Sequence, residues 1–174
     1  MATLTDRLLK GVQNMLNKRG ISELHPLESK IGDVYMTENV MLFIPPITDG
    51  VIEKIKNEQT HYLYFLMETH NCSHAIVPYS SLAPQASEVL KSHSFYTVEL
   101  FPYKSLLFDP TVHELVPLHT LLSEQETQFE LGKIKISQLP IISVDDVIVR
   151  FYGWKKGGVV RIRRKEGVAY KVIS

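Results

Sequence analysis

A single cysteine, Cys72, stands among 174 residues. One thiol excludes an internal disulfide and a cysteine-rich zinc site, and it suits a reducing compartment. No apolar run approaches the roughly 20 residues that a membrane-spanning helix needs. In the opening "MATLTDRLLK", Asp6 and Arg7 come too early for the apolar region of a signal peptide. An excess of either charge is missing as well: 19 Lys and Arg offset 19 Asp and Glu. A freestanding nucleic-acid binder is usually more basic than that. Repeats and low-complexity tracts are absent. With 44% hydrophobic and 22% charged residues, the expectation is an intracellular, soluble, globular chain.

Signatures of catalysis are equally scarce. The glycines of "GWKKGG" follow a helical pattern and precede a strand-like one, whereas a phosphate-binding loop sets them between strand and helix so that backbone amides face the phosphate. They read instead as a helix stop at Gly153 and a turn at Gly157 and Gly158. His61, His70, His74, His93, His113 and His119 raise the question of metal. However, "HNCSH" is rich in turn formers, and one Cys between two His is a weak ligand set against a plain polar turn. Glu68 is followed two places on by His70, not by the lysine of a carboxylate–x–lysine nuclease, and no second acid at a strand end would share a metal. His119 and Ser123 are near in sequence, but nothing orients them as base and nucleophile. Neither a metal nor a cofactor is expected.

What is present is an uneven charge distribution. Arg150, Lys155, Lys156, Arg161, Arg163, Arg164, Lys165 and Lys171 crowd the last stretch, with Glu166 as its one acid, while acids prevail before it. The two ends should therefore face different partners.

Periodicity predicts the elements. Leu4, Leu8, Val12, Met15 and Leu16 mark an amphipathic helix, with Thr5 as a cap and Gly20 as its end. "VMLFIPP" is a buried strand closed by Pro45 and Pro46. "TDGVIEKIKN" reads as a short helix opened by Thr48 or Asp49, and the aromatic-rich "HYLYFLME" as a central strand. "HAIVPY" is a strand whose Pro78 belongs at an edge or an end. A helix begins near Pro84 in "SLAPQASEVLKSH", and "SFYTVELFPY" is a further strand.

Alternating strand and helix predict a small α/β domain over residues 1–108, with a boundary at "FDP". Beyond it, over 109–174, the pattern predicts a small mixed α/β domain, which makes the whole chain α+β / α/β. "HELVPLH" and "ISQLP" read as extended. "SEQETQFELG" reads as a helix with a Ser123–Glu126 capping box. "SVDDVIVRFYG" is a helix capped by Ser143, and "GVVRIRR" and "VAYKVIS" form a β-hairpin around "KEG".

Taken in order, "HELVPLH", "SQLP", "VDDVIVRFYGWKKGGVVRIRR" and "AYKVIS" resemble the fifth subunit of eukaryotic nuclear RNA polymerases, whose closing module also stands alone as a small, separate chain of archaeal RNA polymerases. The family pattern His-x-Leu-Val-Pro-x-His meets Leu115, Val116, Pro117 and His119. Its Ser-Gln-Leu-Pro meets Ser137, Gln138, Leu139 and Pro140. Its last words meet Asp145, Val147, Tyr152, Gly153, Lys156, Gly157, Val159, Val160, Ile162 and Arg163. The first part resembles the family's jaw domain through the helix of "RLLKGVQNMLNKRG" and through Pro84 and Ala86 of "LAPQAS". Asp146 replaces the family's proline, Lys165-Glu166-Gly167 is a shortened loop, "LGKIKISQLP" is less basic than usual, and the jaw part is shorter. Such trimming is similar to that of a copy carried by a large DNA virus with its own polymerase; a divergent protist would look the same.

The resemblance implies a non-catalytic, hetero-oligomeric subunit of a DNA-directed RNA polymerase, without a membrane partner. A jaw-like domain would come first and an assembly domain second. The assembly domain would dock on the largest subunit, and the jaw would lie beside downstream duplex DNA with weak, non-specific contact. Location would follow the polymerase: the nucleus in a cell, or the virion or cytoplasmic factory of a virus.

In "GVVRIRR", Val159, Arg161 and Arg163 share one face and Val160, Ile162 and Arg164 the other, so at least one arginine-bearing face must meet solvent or acidic groups. The partner-binding candidates are Pro117, His119, Gln138, Pro140, Tyr152, Trp154, Lys156, Arg161 and Arg163. The DNA-proximal candidates are Ser81, Pro84, Gln85 and Ser87, with Ser80 beside them. Leu115, Val116 and Leu139 are expected in the core. His119 is either a local hydrogen-bond former or a contact residue. Two other classes stay open: a freestanding nucleic-acid-binding protein using the basic hairpin, and a metal-dependent nuclease using Glu68 and His70.

Overall fold

The computed structural model describes residues 2–92 and 95–174, so His93 falls outside the described residues. The chain divides into two compact units, Met1–Phe108 and Asp109–Ser174.

The first unit opens with α1 (Leu4–Lys18). Thr3, not Thr5, is its cap: the Thr3 hydroxyl accepts from the Asp6 amide at 3.1 Å, and the Asp6 carboxylate accepts from the Thr3 amide at 2.9 Å. Thr5 already lies within the helix. Three strands follow: β1 (His25–Leu27), β2 (Asp33–Met36) and β3 (Val40–Ile44). Next come β4 (Ile47–Thr48) and β5 (Val51–Ile52), an antiparallel pair in place of the expected helix. Asp49 and Gly50 both take positive φ, 52° and 73°, and an Asp-Gly pair of this kind turns a two-residue hairpin.

The segment expected as a central strand is a helix, α2 (Asn57–Thr69). Gln59, Thr60, Leu63, Tyr64, Leu66 and Met67 are its buried residues, spaced at three and four rather than at two. The Gln59 side chain also accepts the Lys56 amide at 2.8 Å. Aromatic content suggests a strand, but the polar turn of "NEQT" ahead of it supplies the helix start.

β6 (His74–Tyr79), α3 (Pro84–Ser92) and β7 (Thr97–Pro102) follow, and a 3₁₀ turn over Tyr103–Leu106 closes the unit. The sheet order is β1-β2-β3-β6-β7, antiparallel through β3 and parallel from β3 to β7. β6 is thus internal, and Pro78 sits at its end, past the last residue paired with β3. Met41, Phe43, Ala75 and Val77 point to one face, where Leu63, Met67, Ala86 and Leu90 of α2 and α3 pack. The alternate residues Leu42, Ile44 and Ile76 point the other way and are fully buried, as are Leu8, Val12, Met15 and Leu16 of α1. α1 covers that second face.

The second unit begins with a 3₁₀ turn over Pro110–Val112 and continues through β8 (Leu118–Leu121), α4 (Glu124–Leu131), β9 (Ile141–Ile142), α5 (Val147–Tyr152), β10 (Val159–Arg164) and β11 (Gly167–Ile173). The capping box of α4 forms as its sequence predicts, with the Ser123 hydroxyl accepting the Glu126 amide at 3.2 Å. α5 is capped by Asp146, not Ser143: the Asp146 carboxylate accepts the amides of Ile148 at 2.8 Å and Val149 at 3.4 Å. Ser143 instead accepts the Asp145 amide. Gly153 ends α5 in the left-handed conformation, φ 66° and ψ 26°, where a side chain would be strained.

Two segments expected to be extended are only partly so. Val116 donates to the His113 carbonyl in a turn before β8, and Ile136–Gln138 form a 3₁₀ turn before Leu139.

The hairpin of β10 and β11 is the middle of a four-stranded sheet, β8-β10-β11-β9, with β9 parallel to β11. Val160, Ile162 and Ile173 meet Val149 and Trp154 on one face. On the other, Val159 and Tyr170 meet Leu122, Leu131 and Leu139.

Candidate functional site

The basic strand β10 is where the sequence concentrates its candidates, and the fold divides them. Three of the rows that cross β8, β10 and β11 hold these candidates. Arg161 lies opposite Thr120 of β8 and Tyr170 of β11; Arg163 lies opposite Leu118 and Val168; Ile162 lies opposite His119 and Ala169. Arg161 is half-buried because α4 crosses its row, and it makes a short ion pair with Glu130. The hydrogen bond from the Tyr170 hydroxyl to Glu130 pushes the phenol's pKa up. The second carboxylate oxygen of Glu130 is buried without a hydrogen-bond partner. Arg161 therefore braces the unit internally. Arg163, in the next row on the same face, is exposed.

The remaining candidates fall into local groups. Tyr152 and Trp154 stack face to face, ring centroids 4.6 Å apart and planes 7° from parallel. Gly153 reverses the chain between them, so both rings project from one place, half-buried. Lys156 is exposed in the turn that leads to β10. His119 donates from Nδ1 to the Pro117 carbonyl at 2.7 Å, a local bond that fixes its ring. Gln138 caps its own 3₁₀ turn by accepting the Lys135 amide at 3.3 Å. The Pro140 carbonyl accepts the Val172 amide at 2.9 Å, bracing β9 against β11.

Pro117 and Arg163 are brought together in an open groove of about 590 Å³, lined also by Glu114, Leu115, Arg164, Lys165 and Glu166. Leu115, expected in the core, is 84% exposed: the turn at His113 carries it out of the sheet. Val116 and Leu139 are half-buried, and Leu139 packs on the α4 cluster. Sequence reasoning missed Leu115, Arg164 and Lys165 as groove residues. Their signal was the shortened hairpin loop, which places the last cations of β10 at its tip.

In the first unit Ser81, Pro84 and Gln85 are exposed and Ser87 is half-buried. Ser80 donates its hydroxyl to the Ile52 carbonyl at 2.6 Å, so that hydroxyl proton is already committed. Glu68 is on α2, not at a strand end, which removes the geometry of the nuclease reading. His70 follows α2 as its C-terminal cap. Among the described residues no three His, Cys, Asp or Glu are grouped to hold a metal ion, and no helix is long and apolar enough to cross a membrane.

His74 has another role. Its Nε2 lies 2.6 Å from Glu99, which also takes a bidentate bond from Arg19 at 2.7 and 2.9 Å. Burial pushes the Glu99 pKa up, but the hydrogen bonds of His74 and Arg19 and their charges outweigh that and hold it at about 2. Cys72 is buried with the Asn39 and His74 carbonyls within reach of its one S–H, and burial raises its pKa, which makes it a poor nucleophile.

Known proteins share sequence with both parts of this chain. Residues 108–174 match the family "RNA polymerase Rpb5, C-terminal domain", within one residue of the second compact unit. The subunit rpabc1 of DNA-directed RNA polymerases I, II, and III from Dictyostelium discoideum is 32% identical, over 79% of this chain and 71% of that protein. The DNA-directed RNA polymerase V subunit 5A of Arabidopsis thaliana is 31% identical, over 90% of this chain and 66% of its own length. The RPABC1 subunit of Caenorhabditis briggsae is 34% identical, over 79% and 64%. Coverage of this extent exceeds the second unit alone, so the similarity continues into the first. A match that fills the second unit and enters the first makes this chain a member of the fifth-subunit family of DNA-directed RNA polymerases.

Proposed function

We propose that the chain is a non-catalytic subunit of a DNA-directed RNA polymerase, held by the largest subunit through its second unit. The first unit, residues 1–108, serves as the jaw-like domain, and the second, residues 109–174, as the assembly domain. The observation that carries this reading is the surface of the second unit. Phe129 is 89% exposed, and Leu115, Leu118, Ile134, Ile136, Ile141 and Val168 are exposed with it. A domain of this size that leaves so much apolar surface uncovered is built to be completed by another chain. The stacked Tyr152–Trp154 pair is of the type that anchors interfaces, with its apolar faces backed by a packed core.

The jaw-like unit faces downstream duplex DNA through the turn of Ser81, Pro84, Gln85 and Ser87. Hydroxyl and amide groups of this kind contact phosphates without reading bases. Acids outnumber bases before Arg150, so few phosphates are neutralised and the contact is weak and non-specific. The protein works where its polymerase works, in the nucleus of a cell or in the virion or cytoplasmic factory of a large DNA virus.

Affinity purification of the tagged full chain in gentle salt tests the proposal. Two very large polymerase chains are expected to co-elute. Their absence, together with tight and steeply salt-dependent binding of the chain alone to duplex DNA, would instead identify a freestanding nucleic-acid binder.

A further inference from the structure

The sheet of the second unit carries a repeated chemical pattern, and only one copy of it is filled. In the row Thr120–Arg161–Tyr170 the arginine is covered by α4. That helix lays Glu130 on the guanidinium, while the adjacent Leu131 packs beside Val159 and Tyr170. One carboxylate next to one large apolar side chain is therefore the chemistry that closes this face. The next row, Leu118–Arg163–Val168, again sets an arginine between neighbours on the same face. Both flanking residues are apolar, 60% and 50% exposed, and Arg163 is exposed between them without an ion-pair partner among the described residues.

The groove described above adjoins this row. Arg164 and Lys165 add two cations to Arg163 there, against the carboxylates of Glu114 and Glu166, and Leu115 and Pro117 supply its apolar wall. The sheet also ends here: among the described residues β8 pairs with β10 on one side and with no strand on the other, and Pro117 before it has no amide to offer.

We propose that the Leu118–Arg163–Val168 row and its groove take a segment of the polymerase partner in which a carboxylate stands next to a large apolar side chain, repeating outside the chain what Glu130 and Leu131 do within it. This rests on the subunit reading above and adds the chemistry of the occupant. A basic or purely apolar segment fits worse: the first would face three cations that only Glu114 and Glu166 offset, and the second would bury Arg163 without a counter-charge. Because an arginine fork donates two bonds to one carboxylate, Arg163 sets the position of the segment, while Leu118, Val168 and Leu115 remove its apolar neighbour from water.

The intact polymerase, purified through the tagged chain, supplies the test. Treatment with a water-soluble carbodiimide joins a lysine amine to a carboxylate in contact with it, with loss of water. Lys165 is expected to link to an Asp or Glu of another subunit that has Leu, Ile, Val or Phe beside it. Arg163→Glu is expected to lower recovery of the large chains about ten-fold or more, and Arg163→Lys to lower it less. Circular dichroism of both variants should match the unaltered chain, because Arg163 has no internal ion pair to lose. Full recovery with Arg163→Glu, or Lys165 linked within its own chain only, would overturn this inference while leaving the subunit reading intact. Failure of the unaltered chain to recover any large polymerase subunit would overturn both.

Discussion

The two units handle charge and apolar surface in opposite ways. In the first, a strong charge cluster is turned inward: Arg19, with a side chain 5% exposed, and His74 both bind Glu99. Large apolar residues are covered, and only Val51, Phe65, Phe95 and Phe108 stand out among the described ones. In the second, smaller unit the exposed large apolar residues run from Val112 to Val168 on nearly every element. The core there is split in two by the sheet. A domain of about 60–70 residues buries a smaller fraction of its surface than one of about 110. The second unit therefore gains more from a partner. The first looks like a finished module, and the second like one half of an interface.

Breaking the charge cluster of the first unit should have the largest effect. Glu99→Gln strips a nearly buried guanidinium of its carboxylate, and the expected loss is about 3–5 kcal/mol in urea unfolding of the full chain. A loss below about 1 kcal/mol would put this cluster on a par with an exposed ion pair, and the contrast between the units would fail. The pH dependence follows from the same group. Its pKa in the folded chain is held at about 2, below the ordinary 4.5. Its stabilisation is therefore complete above the ordinary value and is lost as pH falls from there through about 2. Acid titration of amide signals in β6 and β7 should show this loss in the unaltered chain and none of it in Glu99→Gln.

A smaller, local effect is expected in the second unit from Asp146→Ala. Removing the cap of α5 should cost about 1 kcal/mol. Hydrogen exchange should locate the change in α5 and the strands beneath it and leave the first unit's amides unaffected; a uniform change in both units would mean that they unfold together.

The smallest stability effect and the sharpest contrast belong to Phe129→Ser. The ring is almost wholly exposed, so unfolding should shift by no more than about 0.5 kcal/mol. Recovery of large polymerase chains should nevertheless fall. If recovery is unchanged, Phe129 lies outside the docking surface.

Much of the second unit is legible in the residues. The Ser123–Glu126 box, Gly153 as a stop and the alternation of "GVVRIRR" are local signals, each readable within a few positions. The first unit is harder. "HYLYFLME" reads as a strand when its aromatic content is weighed without the "NEQT" turn that starts the helix, and "TDGVIEKIKN" reads as a helix although Asp49-Gly50 is a hairpin turn. Thr5 and Ser143 each fall two or three residues from the true caps, because several oxygen-bearing side chains compete for the same free amides and backbone geometry chooses among them.

The candidate site divides in the same way. Sequence order alone determined the family words, the concentration of cations in the closing stretch and the alternation that puts Arg161 and Arg163 on one face, since these depend on neighbours along the chain. That Arg161 is consumed by Glu130, 31 positions away, while Arg163 is left unused, was decided only by the packing of α4 across one row of the sheet. The same holds for Arg19, Glu99 and His74, which no local pattern joins. Pairing between distant charges depends on how the layers stack, and that is a property of the assembled core and not of any short stretch of residues.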